Sequence, residues 1–211
     1  MMKKAIMTLF VLAAVMQEAT AQNTIESIRE VYQGVYETVG LMNIDFPEGG
    51  IPPEYYHLDV RQNLPGTGPH HEDIRMYYGE EEPEEEGDPY PPHFLRLVTA
   101  KYNFAAREFY EEYLYDERGQ VMFIYALTCD ADENMVPHEL RLWYDGPRLL
   151  RFTAKRGGQA GTLDEMRKAT YNEVYSGTEI PEKFQAECNR CEERAKKFLT
   201  MFKAIDERTY L

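Results

Sequence analysis

Apolar residues recur at three- and four-residue steps near both ends of the chain and at two-residue steps through its middle, a pattern that predicts helices flanking a sheet. Near the start, Ile25, Ile28, Val31, Tyr32, Val35, Tyr36, Val39 and Met42 form one stripe. Asn23 followed three residues later by Glu26 has the spacing with which a capping box opens such a helix. At the other end, Phe184, Cys188, Cys191, Ala195, Phe198, Phe202 and Ile205 alternate steps of four and three, in a helix that Pro181 suits at its first turn and that runs to about Asp206. Thr162 with Glu165 is a second capping box, and the pattern through Met166, Thr170 and Val174 predicts a helix reaching Ser176 and Gly177.

Between these lie strand-like runs at 55–60, 73–78, 94–105, 107–115, 121–128, 138–144 and 148–154. Turn chemistry separates them, as in Asp116-Glu117-Arg118-Gly119, the acidic stretch from Asp130 to Asn134, and Asp145-Gly146-Pro147. Links this short make neighbouring strands antiparallel. The run from Val121 to Leu127 is apolar on both faces and reads as central, whereas Glu108 and Glu112 opposite Phe109, Tyr113 and Tyr115 give their strand one wet face. The expected fold is therefore α+β: an N-terminal helix, an antiparallel β-meander of five to seven strands, and two C-terminal helices. A sheet with one covered face offers a single partner to these stripes, so the two C-terminal helices are expected packed on the same sheet face, with the first helix on that face as well.

The first twenty-one residues stand apart from this pattern. Lys3 and Lys4, an apolar run from Ala5 to Met16, and Ala19-Thr20-Ala21 compose an export signal with a small-residue cleavage site. The apolar run is shorter than the roughly 20 residues that span a bilayer. Residues 1–21 are thus read as a cleaved signal peptide and 22–211 as one domain, exported to the periplasm or the extracellular space. No later run reaches membrane length, so the cleaved product is not expected to be an integral membrane protein. A net charge of −14 repels phosphate backbones and sets nucleic acid aside as a partner. An aromatic content of 13% argues against disorder, which goes with few aromatics.

Candidate chemistry is sparse. Cys188-Asn189-Arg190-Cys191 has the spacing of redox and zinc motifs, but both cysteines fall on the apolar stripe and inside the helix, where a thiol behaves as a small hydrophobe. With Cys129 as the third thiol, a structural disulfide from it to Cys188 or Cys191 is the alternative. His70-His71-Glu72-Asp73 supplies metal-ligand types in a row; adjacent side chains on an extended chain point apart, so a site would need His57, His93 or His138 from other strands, and the bland reading is a solvated loop. The acidic run from Glu80 to Asp88 likewise reads as solvated. No phosphate-binding loop, nucleophile elbow or zinc-protease motif appears, and no cofactor is expected.

Four rings near loops or strand ends, Tyr77, Tyr78, Tyr90 and Trp143, are the candidate binding residues. The leading functional expectation is an exported non-catalytic binding or interaction domain whose partner is a peptide, a glycan or an envelope protein. A carrier with a cavity for a small apolar ligand between sheet and helices is the second. A hydrolase working with carboxylates or a histidine is the third.

Overall fold

A computed structural model describes residues 23–42, 55–81, 91–129, 136–160 and 162–207 of the chain. Residues 1–22, with the segment expected to be a signal peptide, the greater part of the acidic run, Tyr90 and the residues from Asp130 to Asn134 lie outside the described residues.

Among the described residues eight strands run in chain order: β1 (Tyr55–Leu64), β2 (Gly68–Glu80), β3 (His93–Phe104), β4 (Arg107–Tyr115), β5 (Val121–Cys129), β6 (Pro137–Asp145), β7 (Arg148–Arg156) and β8 (Asn172–Gly177). Each pairs antiparallel with its sequence neighbours in a single meander. Turn chemistry carries this order. Gly119 and Gly146 adopt φ of 76° and 57°, the left-handed backbone that a tight reversal between strands requires. Arg96, a charge amid an apolar alternation, is the extra residue of a β-bulge: Tyr77 opposes Leu97 and Tyr78 opposes Leu95, so Arg96 has no partner in the register.

The eighth strand replaces the C-terminal half of an expected helix. Thr162 and Glu165 do form the capping box of α2 (Leu163–Lys168), but Ala169 turns extended, at φ −68° and ψ 151°, and ends the helix after six residues. Tyr175 then packs toward the core while Val174 is exposed, an alternation of period two. The meander thus has one strand more than the five to seven expected. His70 to Asp73, expected in a loop, lie within β2.

Helix placement is the larger correction. The helix α3 (Glu182–Asp206) covers one face of the sheet, where Phe184, Cys188, Cys191, Ala195, Phe198 and Phe202 are buried against Ile74, Val98, Tyr113, Ile124 and Leu142. The opposite face carries α1 (Ile25–Met42), whose Ile28 and Val39 pack on Tyr77, Leu97, Leu114, Phe123 and Trp143. Beside it lies α2, with Leu163 and Met166 against Leu127 and Cys129. First and last helices therefore lie on opposite faces, and so do the two C-terminal helices α2 and α3, against the expectation of one shared face, because the central strands are apolar at odd and even positions alike and both faces need cover. For the same reason the supposedly wet Glu112 is only 3% exposed. The start of α1 also differs in detail: Thr24 and Ser27 cap each other, Ser27 N donating to Thr24 Oγ1 at 3.1 Å and Thr24 N to Ser27 Oγ at 2.9 Å, while Asn23 N reaches Asp145 Oδ1. Among the described residues no helix is long and apolar enough to cross a membrane.

Candidate functional site: a groove between α1, α2 and the sheet

Because α1 and the short α2 share one face without filling it, a groove of about 570 Å³ opens between them over the centre of the sheet. Its floor follows from register. Glu112 on β4 pairs with Tyr125 on β5, which pairs with Arg141 on β6, so a carboxylate, a ring and a guanidinium stand in one row across three strands. At about 4.8 Å per strand, the charged ends of this row stand roughly 10 Å apart. Phe123, Leu127 and Trp143 complete the apolar floor, Ile28, Arg29, Tyr32 and Tyr36 come from α1, and Arg167 from α2.

Glu112 is buried without a cationic partner among its hydrogen bonds. Three tyrosines solvate it instead: Tyr36 Oη donates to Oε1 at 2.7 Å, Tyr110 Oη to the same oxygen at 2.6 Å, and Tyr32 Oη to Oε2. Burial and then the adjacent Glu112 charge raise the pKa of Tyr32, Tyr36 and Tyr110. Near neutral pH these hydroxyls stay protonated and act as donors. Tyr32 and Tyr36 are one turn apart on α1, so a single helix face delivers both.

Each guanidinium of the lining lies over a ring. Arg29 Cζ is 6.0 Å from the Trp143 centroid, Arg141 Cζ 5.7 Å from that of Tyr125, and Arg167 Cζ 5.0 Å from that of Tyr110. Arg141 also pairs with Glu139 at 2.9 Å, and Lys155 reaches the same carboxylate oxygen at 3.2 Å.

The other face of β4 carries a contrasting site. Glu111, 1% exposed, accepts from Tyr113 and Tyr102 and pairs with Arg190 at 2.7 Å and Arg194 at 2.8 Å. Arg194 is bonded to Glu72 as well, and Arg190 to Glu187. This network ties α3 to β2, β3 and β4 through compensated charges, and Tyr102, Glu187 and Arg190 also border a groove of about 700 Å³ between α3 and the sheet.

Of the rings expected to bind, only Trp143 lines the groove, 4% exposed on its floor. Tyr77 is buried beneath α1, near Tyr55. Tyr78 faces the opposite side, 4.6 Å from the His93 ring and 6.0 Å from Phe202. Tyr90 lies outside the described residues. His70 Nδ1 bonds the Asn103 carbonyl at 2.6 Å and His71 Nε2 lies 3.3 Å from Asp59, so the two rings serve different neighbours. Among the described residues no group of three or more His, Cys, Asp or Glu is placed to hold a metal ion. No disulfide forms: Cys129 packs with Leu127, Leu163 and Met166 beneath α2, while Cys188 and Cys191 lie in the core on the other side of the sheet. The bridge weighed as the alternative, from Cys129 to Cys188 or Cys191, is not formed in this structure, where the sheet stands between the two clusters.

Sequence reasoning missed Tyr32, Tyr36, Tyr110, Glu112, Arg141 and Arg167. The available signal was the Tyr-x-x-x-Tyr spacing on the stripe of α1 together with a lone acid in a strand otherwise suited to burial. Comparison of the chain with models of protein families, with curated proteins and with solved structures gave no match.

Proposed function

We propose that the chain is an exported, non-catalytic binding domain that holds a small, largely apolar molecule in the groove between α1, α2 and the sheet. The observation carrying this reading is a single one: a groove of about 570 Å³, within the usual range of small-molecule sites, floored by Phe123, Tyr125, Leu127 and Trp143 and with its one buried carboxylate already satisfied. A pre-formed apolar pocket with a few fixed polar groups favours binding over chemistry. For Glu112 to take a proton from a substrate, it would first have to release tyrosine hydroxyls that bond it in the ground state. The export reading rests on Lys3, Lys4 and the apolar run ending before Ala19-Thr20-Ala21, and places the ligand outside the cytoplasm.

Trp143 is the only tryptophan of the chain and lies in the groove, so its fluorescence reports occupancy directly. Titration with the neutral apolar dye N-phenylnaphthylamine should quench Trp143 saturably at one site. Replacement of Leu127 by Phe, which narrows the floor and leaves Trp143 the only tryptophan, should abolish the effect. Quenching that never saturates, or that survives the narrowed groove, would sink the proposal. For export, the secreted or periplasmic form should begin at Gln22 by mass spectrometry, and a product retaining Met1 in the cytoplasm would refute it.

A further inference from the structure

We propose that the molecule held in this groove is a small organic anion, with an apolar body on Phe123 and Trp143 and its negative group against the guanidiniums of Arg29, Arg141 and Arg167. This inference rests on the groove being a small-molecule site and names the class of its occupant.

Charge distribution is the first argument. The chain carries 37 acidic residues against 23 Lys and Arg. The groove reverses that balance, with three guanidiniums and one carboxylate among its lining residues. That carboxylate, Glu112, is turned to three tyrosine hydroxyls and has little capacity left for a ligand. A cation entering here would meet three arginines; an anion meets them as partners.

Geometry is the second argument. Arg29, Arg141 and Arg167 each lie with Cζ within 6.0 Å of a ring centroid of the lining, at Trp143, Tyr125 and Tyr110. A ring beneath the guanidinium engages its face and leaves the N–H edge for a carboxylate, sulfonate or phosphate, which can accept two parallel bonds. Among the described residues no carboxylate comes within ion-pair distance of Arg29 or Arg167, whereas Arg141 shares Glu139 with Lys155. Arg29 and Arg167 come from α1 and α2, so an anion between them would bridge the two walls of the groove.

Two dyes of the same aromatic body test this, one with a sulfonate and one without: anilinonaphthalene sulfonate and N-phenylnaphthylamine, each read by quenching of Trp143. At low salt the sulfonate should bind about tenfold more tightly, the worth of one charge-assisted hydrogen bond. The ratio should fall toward one as sodium chloride is added, since the screening length shortens. R29A/R167A, altered at two exposed positions and checked for folding by circular dichroism, should remove the preference and bring the two dyes to the same affinity. Equal affinities in the unaltered protein, or a preference that survives both substitutions, would overturn the anion while leaving the groove as a binding site. Saturable binding of neither dye would overturn both readings.

Discussion

The carboxylates of Glu111 and Glu112, adjacent on β4, are buried on opposite faces of the sheet and held by different chemistry. Glu111 is neutralised by Arg190 and Arg194 from α3, and Glu112 is hydrogen-bonded by Tyr32 and Tyr36 from α1 and by Tyr110 from its own strand. A strand's period of two makes this possible, since successive side chains enter different layers. Each outer layer is thereby tied to β4 through one carboxylate, the α3 layer by ion pairs and the α1 layer by neutral donors.

Replacing Glu111 by Gln should be severely destabilising. Two guanidiniums would lose their common counter-charge inside the fold, and breaking a buried pair from one side costs about 3–5 kcal/mol. Urea denaturation would show the midpoint falling with little change in slope.

The same residue sets an acid limb of stability. Burial alone would raise the Glu111 pKa, but Arg190 and Arg194 outweigh it and hold the carboxyl below its usual range. The unfolded chain then binds the proton more readily than the folded one, so this contribution is complete above the ordinary carboxylate range and is lost as pH falls through it toward the folded value. Stability measured from neutral to acidic pH should decline for the unaltered protein, and that decline should be shallower in Glu111→Gln. Parallel curves would show that other carboxylates carry the limb.

Glu112 governs α1 rather than the whole fold. Glu112→Ala leaves three tyrosine hydroxyls in need of acceptors and should cost about 1–3 kcal/mol. Because α1 packs only on its own face, backbone amides of residues 25–42 should lose hydrogen-exchange protection while those of α3 keep theirs. Equal loss in both helices would mean that the two layers unfold as one unit.

What the sequence made legible divides along the same line. Period and turn chemistry are local, and they yielded seven of the eight strands, the stripe of α3 and the capping box at Thr162. The segment after Lys168 was misread because Val174 also fits a helical continuation from Met166, and only Ala169's extended backbone breaks it. The apolar character of Val121 to Leu127 on both faces is visible in the sequence, but its consequence, a helix layer on each side, is masked by Glu112, an acid whose spacing suits a solvent-facing residue and which is buried. The groove depended on convergence from four elements: Trp143 alone was found, since no local rule brings Tyr32 of α1 to Glu112 of β4 or Arg167 of α2 over Tyr110.

The thiols test the orientation of α3. Cys188 and Cys191 are both fully buried against the sheet. Burial, with the nearby Glu192 second, pushes the Cys188 thiol up to about 12, and burial followed by Glu111 pushes Cys191 well above its ordinary value. Since the thiolate is the nucleophile, both should resist a small alkylating reagent at mildly alkaline pH until denaturant is added. Cys188→Ala should cost about 1 kcal/mol of packing, and Cys188→Asp several times more, because the introduced carboxylate would be buried near Glu192 with no cation to meet it. Mass spectrometry of the alkylated native protein and urea denaturation of the two variants check this. Rapid labelling of both cysteines in the folded state, or equal stability of the Ala and Asp variants, would show that this face of α3 is turned to solvent.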